Sequence, residues 1–229
     1  MRTNEAAKED LSQEMFWETA ARTRLGKYLT ETEIRFVSEA FEKSKASLVL
    51  DVGAGAGKFS LLAARSDVTV VSIDRVSYGL KRLRLKNKSI SAIKADARSI
   101  PIKSDIIDAV FMIEVLDYIP ELDSVINEIG RTLKKESSFI FSFGNKASVK
   151  QKIRLIKGKS YLHSYKSVLE NLSRAGFAVR KKLGFNWLPF GRTSENPSIP
   201  LFVFLEKVFR LRKIPAFSPW VMVHATKTC

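Results

Sequence analysis

The chain predicts an α/β fold: a doubly wound, mostly parallel seven-stranded sheet with helices on both faces, an N-terminal helical lid and an insertion before the last strand. Three observations carry this. From residue 47 onward, short apolar runs alternate with amphipathic helical stretches, the pattern of strands buried between two helix layers. The first run, SLVLDVGAGAGKFS at residues 47–60, passes from strand-like residues into an acid and three alternate glycines. The 229 residues, 45% hydrophobic and 28% charged, suffice for one well-filled core with appendages.

Each element follows in order. In TETEIRFVSEAFEKS, Thr30 and Glu33 make a capping-box pattern, and Ile34, Val37 and Phe41 follow at helical spacing. SLVLDV is a buried strand, with a helix opening at the glycines. VTVVSID is a second strand, YGLKRLRLKNK a basic helix, ISAIKAD a third strand and DAVFMIE a fourth. In ELDSVINEIGRTLKK, residues Leu122, Val125, Ile126, Ile129 and Leu133 form one apolar helix face. SSFIFSFGN is the fifth strand. KASVKQKIRLIKGKSY is basic and undetermined. Ser164 caps a helix through YKSVLENLSRA that ends at Gly176, and FAVRKKLGF and PWVMVHATK are two late strands. The expected division is a lid at 1–46, a core at 47–185, a basic cap at 186–217 and a final core strand at 218–229, all in one domain.

Composition bounds the chemistry. The one cysteine, Cys229, is the last residue, so no internal disulfide or buried cysteine nucleophile is expected. Two histidines, His163 and His224, leave little for a transition-metal cage, and no metal is expected. No apolar run is long enough to span a bilayer. The polar, acid-containing N-terminus is unlike a signal peptide, so a cytoplasmic location is expected, with contact to a membrane surface as an option. The net charge is +15, and residues 146–229 hold 17 basic against 3 acidic side chains. Such a one-sided field favours anionic partners: phosphorylated metabolites, lipid headgroups or nucleic acid.

Spacing decides what the glycines serve. A P-loop counted back from Gly57 would need glycine where Val52 stands, and Phe59 occupies the place of its hydroxyl residue. The dinucleotide fingerprint misses in both registers, its third glycine falling on Lys58 or Ser60. What remains, Asp51-x-Gly53-x-Gly55-x-Gly57 after a strand, resembles the first motif of class I S-adenosylmethionine-dependent methyltransferases. The likeness continues in order. VVSID ends in Asp74, 23 residues after Asp51; AIKADARSIP follows, then SDIIDAVFMIEVLDYIPELDSVINEI and LSRAGFAVRK, as in the small-molecule (type 11-like) subgroup.

The resemblance implies S-adenosylmethionine as cofactor and S-adenosylhomocysteine as product. It assigns cofactor binding to Asp51, Gly53, Ala54, Gly55 and Gly57 at the loop and to Asp74 with Arg75 at the ribose. Asp96 and Ala97 would meet the adenine, Glu114 the methionine end, and Tyr28 would close over the cofactor. Alternate glycines suit this ligand, which needs close backbone approach but brings no pyrophosphate. Tyr118 stands where many relatives carry a histidine, so Asp117, Tyr118 and His163 are the catalytic candidates.

Absent signatures narrow the acceptor. There is no Asn/Asp-Pro-Pro-aromatic motif after the fourth strand, no placed cysteine nucleophile and no paired glutamates of arginine methylation. O-methylation of an anionic or amphiphilic small molecule, lipid-, glycan- or quinone-like, is the expectation. An RNA methyltransferase binding phosphates through the basic C-terminal third is the alternative. The stretch PLFVFLEKVFRLRK in the cap has an apolar face at Leu201, Phe204, Leu205 and Val208. It reads either as a helix touching an amphiphilic substrate or membrane surface, or as a core-packed helix with a basic edge.

Overall fold

The structure, a computed structural model, describes residues 10–64, 67–156 and 161–228. The first residues of the predicted lid, part of the basic stretch after residue 156, and Cys229 lie outside them. Seven strands form one sheet in the order β3-β2-β1-β4-β5-β7-β6. They are β1 (Leu48–Val52), β2 (Thr69–Asp74), β3 (Ser91–Lys94), β4 (Ile107–Met112), β5 (Leu133–Gly144), β6 (Phe177–Phe185) and β7 (Trp220–Lys227). Strands β1 to β5 are parallel, and β7 runs antiparallel between β5 and β6. The order reverses at β1, which lies between β2 and β4. The loops leaving β1 and β4 therefore diverge and open a crevice at the strands' carboxyl ends.

Eight helices accompany the sheet among the described residues: α1 (Phe16–Ala20), α2 (Arg24–Glu42), α3 (Lys58–Ala63), α4 (Ser77–Lys86), α5 (Leu122–Thr132), α6 (Val149–Ile156), α7 (Tyr165–Arg174) and α8 (Ile199–Val208). Alternation along each strand divides the core in two. In β4, Val110 and Met112 face α5 and α7, packing with Val125, Ile129 and Leu172. Ala109 and Phe111 face the other way, toward Phe36 and Val37 of α2, Phe59 of α3 and Leu83 of α4. β5 stacks Phe139 on Phe141 at 4.4 Å between ring centres, with Phe143 continuing the row. These rings fill the layer beneath α5 and α7. Both faces are covered, as the near-continuous apolar strand runs predict.

Two expectations change. Thr30 and Glu33 form no capping box, because α2 starts about two turns earlier. There the Thr23 hydroxyl oxygen accepts from the Gly26 amide at 3.1 Å. The apolar face reaches back to Leu25 and Leu29, so burial extends the helix past Thr30, and the Glu33 carboxylate is engaged by Lys58 instead. The undetermined basic stretch contains α6. It is fastened by Gln151 Nε2, which donates to the Pro219 carbonyl at 2.9 Å.

The insertion at 186–217 is part of the core structure. Leu188 and Ile199 pack into the α2 face of the core, and α8 is followed by a 3₁₀ turn at Leu211–Lys213. At the other end, the segment before α2 is latched to α4. Tyr78 Oη donates to the Gln13 carbonyl at 2.6 Å, and Lys86 Nζ meets Glu18 at 2.7 Å. The N-terminal segment thereby reaches the crevice from the side.

Candidate active site

The crevice encloses a cavity of about 900 Å³ lined by residues from the ends of β1, β2 and β4 and from the N-terminal segment. This volume lies in the range that holds small organic ligands. At its floor the β1–α3 loop turns sharply: the Gly53 and Ala54 amides donate to the Ile73 carbonyl at 2.8 and 3.0 Å. Gly53, Ala54 and Gly55 line the cavity. Gly55 has φ +51°, and a Cβ placed on it would meet nothing nearer than Met15 at 3.9 Å. The backbone there is bare and open to a ligand. Gly57 serves differently: at φ +86° it caps α3, and a Cβ would lie 2.2 Å from Leu83 Cδ1.

Asp74 ends β2 with its carboxylate already placed. Oδ2 accepts from the Gly55 amide at 2.9 Å and Oδ1 from the Val76 amide at 2.8 Å. This ties the acid to the glycine loop at the cavity edge, beside Arg75. Asp96 and Ala97 line the next stretch of wall. Arg98 grips Asp96 through Nε at 3.0 Å and a second nitrogen at 2.8 Å, and also reaches Glu121 at 3.1 Å. That hydrogen bonding holds the Asp96 carboxyl at about 2.

Asp51 is buried behind the loop, where Ser60 Oγ donates to it at 2.5 Å and contacts Ser72 Oγ at 2.8 Å. Burial outweighs this hydrogen bond and pushes the Asp51 carboxyl up to about 6.

Beside the loop, two acids share two cations. Arg192, from the cap, pairs with Glu114 and reaches Glu33 at 3.4 Å, and Lys58 Nζ meets Glu33 at 2.7 Å. Trp17 stacks on the guanidinium, 5.1 Å from its ring centre. Burial and the neighbouring Glu33 carboxylate push Glu114 above the ordinary carboxylate range. In spite of its own burial, Glu33 is held below that range by Lys58 and Arg192. Glu114 also adopts φ +62°, a strained backbone state anchored by its amide donating to Ser142 Oγ at 2.8 Å.

The structure does not bring every candidate to the cavity. Tyr28 turns away from it and donates to Glu206 of α8 at 2.5 Å. Asp117 is buried, its Oδ1 accepting from the Gly144 amide at 2.8 Å. His163 is buried too, and its Nε2 lies 2.9 Å from the Ile119 carbonyl and 3.1 Å from that of Leu116. Both residues hold the turn after β4 to the end of β5, which is why polar side chains sit there without facing a ligand. Of the three catalytic candidates, Tyr118 alone lines the cavity, half-exposed beside Ile119, Pro120 and Tyr161. Sequence reasoning missed Met15, Trp17, Glu18, Lys58, Arg98 and Tyr161, and Arg192 of the ion cluster. Lys58 stood next to the motif, but Arg192 gave no signal, since only the path of the cap brings it here. Among the described residues, no group of three or more His, Cys, Asp or Glu side chains is placed to hold a metal ion.

A parallel sheet reversing at β1, an acid-and-glycine loop at the reversal and a carboxylate ending β2 define a class I methyltransferase fold. Residues 50–141 match the family model described as a methyltransferase domain, so this stretch of the chain is similar to the S-adenosylmethionine-dependent class I methyltransferases of the type 11 kind. It is 35% identical over 117 residues to an uncharacterised protein of Methanocaldococcus jannaschii, 51% of this chain and 49% of that one. It is 34% identical over 101 residues to the demethylmenaquinone methyltransferase of Streptomyces avermitilis, 44% of this chain and 43% of that one. The chain thus spans about half the length, or less, of these curated relatives. Its fold is shared with magnesium protoporphyrin IX methyltransferase of Synechocystis, solved with bound S-adenosylhomocysteine: the TM-score is 0.64 at 15% identity, covering 94% of this chain and 89% of that one. The residues present fit that cofactor. The bare Gly55 backbone admits its amino-acid end, and the Asp74 carboxylate is oriented and accessible at the cavity edge.

Proposed function

We propose that this protein is an S-adenosylmethionine-dependent methyltransferase that methylates a small anionic or amphiphilic molecule at oxygen. The observation that carries the reading is the pairing of Asp74 with Gly55. One hydrogen bond of 2.9 Å joins the Asp74 carboxylate to a loop whose Cα stands open to the cavity. Asp74 would accept the ribose hydroxyls, with Arg75 beside it. Asp96, steadied by Arg98, and Ala97 would meet the adenine. Gly53, Ala54 and Gly55, with Glu114, would surround the amino-acid end, where a carboxylate suits a cationic amine. Asp51 orders the loop from behind through Ser60, and Gly57 starts α3 so that the loop can turn.

Bound there, the cofactor supplies a methyl group already activated on a sulfonium, so alignment of the acceptor provides much of the rate. The acceptor side would be Trp17, Tyr118, Ile119 and Tyr161, a largely apolar and aromatic wall. This wall suits a flat or amphiphilic acceptor, whose hydroxyl Tyr118 would contact. The relatives named for a quinone and a porphyrin point to the same substrate class.

Transfer of radiolabelled methyl from S-adenosylmethionine into a host extract, split into RNA, protein and lipid-plus-small-molecule fractions, tests this. Label is expected in the last fraction. Label confined to RNA would overturn the acceptor class and favour the basic third as a phosphate-binding surface, and no label in any fraction would overturn the activity.

A further inference from the structure

The outer side of the cap is apolar where a water-facing helix is ordinarily polar. α8 turns Ile199, Phe202 and Val203 toward the core. Its one acid, Glu206, is only 1% exposed and is held by Tyr28 Oη at 2.5 Å, Arg212 Nε at 2.8 Å and the Trp187 amide at 3.2 Å. The opposite side carries Leu201, Phe204 and Val208, exposed to 57, 60 and 54%, at spacings that place them on one helix face. Phe209, Ile214 and Phe217 continue the exposed apolar surface beyond the helix. The helix cannot roll to hide this face without tearing Glu206 from three partners. A helix apolar on both sides, with one side uncovered, marks an interaction surface.

Charge says what covers it. Lys207, Arg210 and Lys213 are exposed along the same segment and make no ion pair among the described residues. They belong to the third of the chain that holds 17 basic and 3 acidic side chains, and one of those acids is the buried Glu206. A second copy of the chain docked by this face would set the same cations against one another. α6 adds exposed Val149 and Ile153, and it is tied to the cap by Lys150 Nζ on Asn186 Oδ1 at 2.7 Å. No helix among the described residues is long and apolar enough to cross a membrane. An apolar helix face rimmed by lysine and arginine is the arrangement that rests in a bilayer interface.

From this we infer that the outer face of α8 docks on an anionic lipid bilayer. Leu201, Phe204 and Val208 enter the boundary between headgroups and acyl chains, and Lys207, Arg210 and Lys213 lie among the lipid phosphates. The inference is independent of the acceptor proposed above.

Co-sedimentation of the full chain with phosphatidylcholine vesicles, and with vesicles in which part of that lipid is replaced by phosphatidylglycerol, provides the test. Partition should be at least about tenfold stronger onto the anionic vesicles. The Phe204→Ser/Val208→Ser double variant should lose at least about tenfold of it, while S-adenosylhomocysteine binds it as it binds the parent. Lys207→Gln/Lys213→Gln should lose several-fold on anionic vesicles alone, and this variant decides should the apolar one misfold. Equal sedimentation of variants and parent, or none with either vesicle, would overturn the inference. So would a dimer seen by light scattering that Phe204→Ser/Val208→Ser dissolves.

Discussion

Asp51 shows how a single residue trades stability for order in the loop. It is buried beneath the glycines with a raised carboxyl, about 6 against an ordinary 3.8. In the unfolded chain the group ionises near 3.8, whereas in the folded chain it keeps its proton until about 6. Unfolding therefore gains on folding as pH climbs between these values, and above about 6 the loss is complete. On this basis Asp51→Asn, which keeps an acceptor for Ser60, should stabilise the ligand-free protein by on the order of 3 kcal/mol at pH 7 and by little near pH 4. Urea unfolding at the two pH values checks this, and an equal change at both would refute it. Asp51, Asp74 and the glycines were legible in the sequence because each sits at a strand end, where a short local pattern fixes its place. The places of Asp117 and His163 were not legible, for the converse reason. Their neighbours along the chain resemble a site, but hydrogen bonds to Gly144, Leu116 and Ile119 use them as struts.

At the scale of elements, all seven strands and most of the helices were legible, since burial on both faces writes apolar runs and helical stripes directly into the sequence. What escaped was tertiary. The start of α2 was placed at Thr30, yet packing of Leu25 and Leu29 carries the helix back to a Thr23 cap. In α8 the apolar stripe was visible, but not that Glu206 would be the residue turned inward. The ring of Tyr28, Glu206 and Arg212 joins residues some 180 positions apart and fastens the cap to α2. Glu206→Ala removes the acid from this ring and leaves a partly buried guanidinium uncompensated. It should lower unfolding stability by about 3 kcal/mol and speed amide exchange across α8. Hydrogen exchange that leaves residues 199–208 as protected as in the parent would contradict this anchoring.

At the scale of the molecule, the sheet reverses at β1 and gathers three chain-distant regions round one cavity. The N-terminal segment brings Trp17, the strand ends bring Asp74 and Asp96, and the cap brings Arg192 to Glu114. The outer face of the same cap holds the apolar surface, so one insertion bears both on the ion cluster beside the glycine loop and on the proposed membrane contact. Calorimetric titration of S-adenosylhomocysteine into the parent chain and into Asp74→Ala tests the central assignment most directly. The parent should bind with one site per chain, and Asp74→Ala should bind at least about tenfold more weakly, as expected for loss of a charged acceptor at buried hydroxyls. Equal affinity in the two proteins, or binding of NADH in place of S-adenosylhomocysteine, would contradict it.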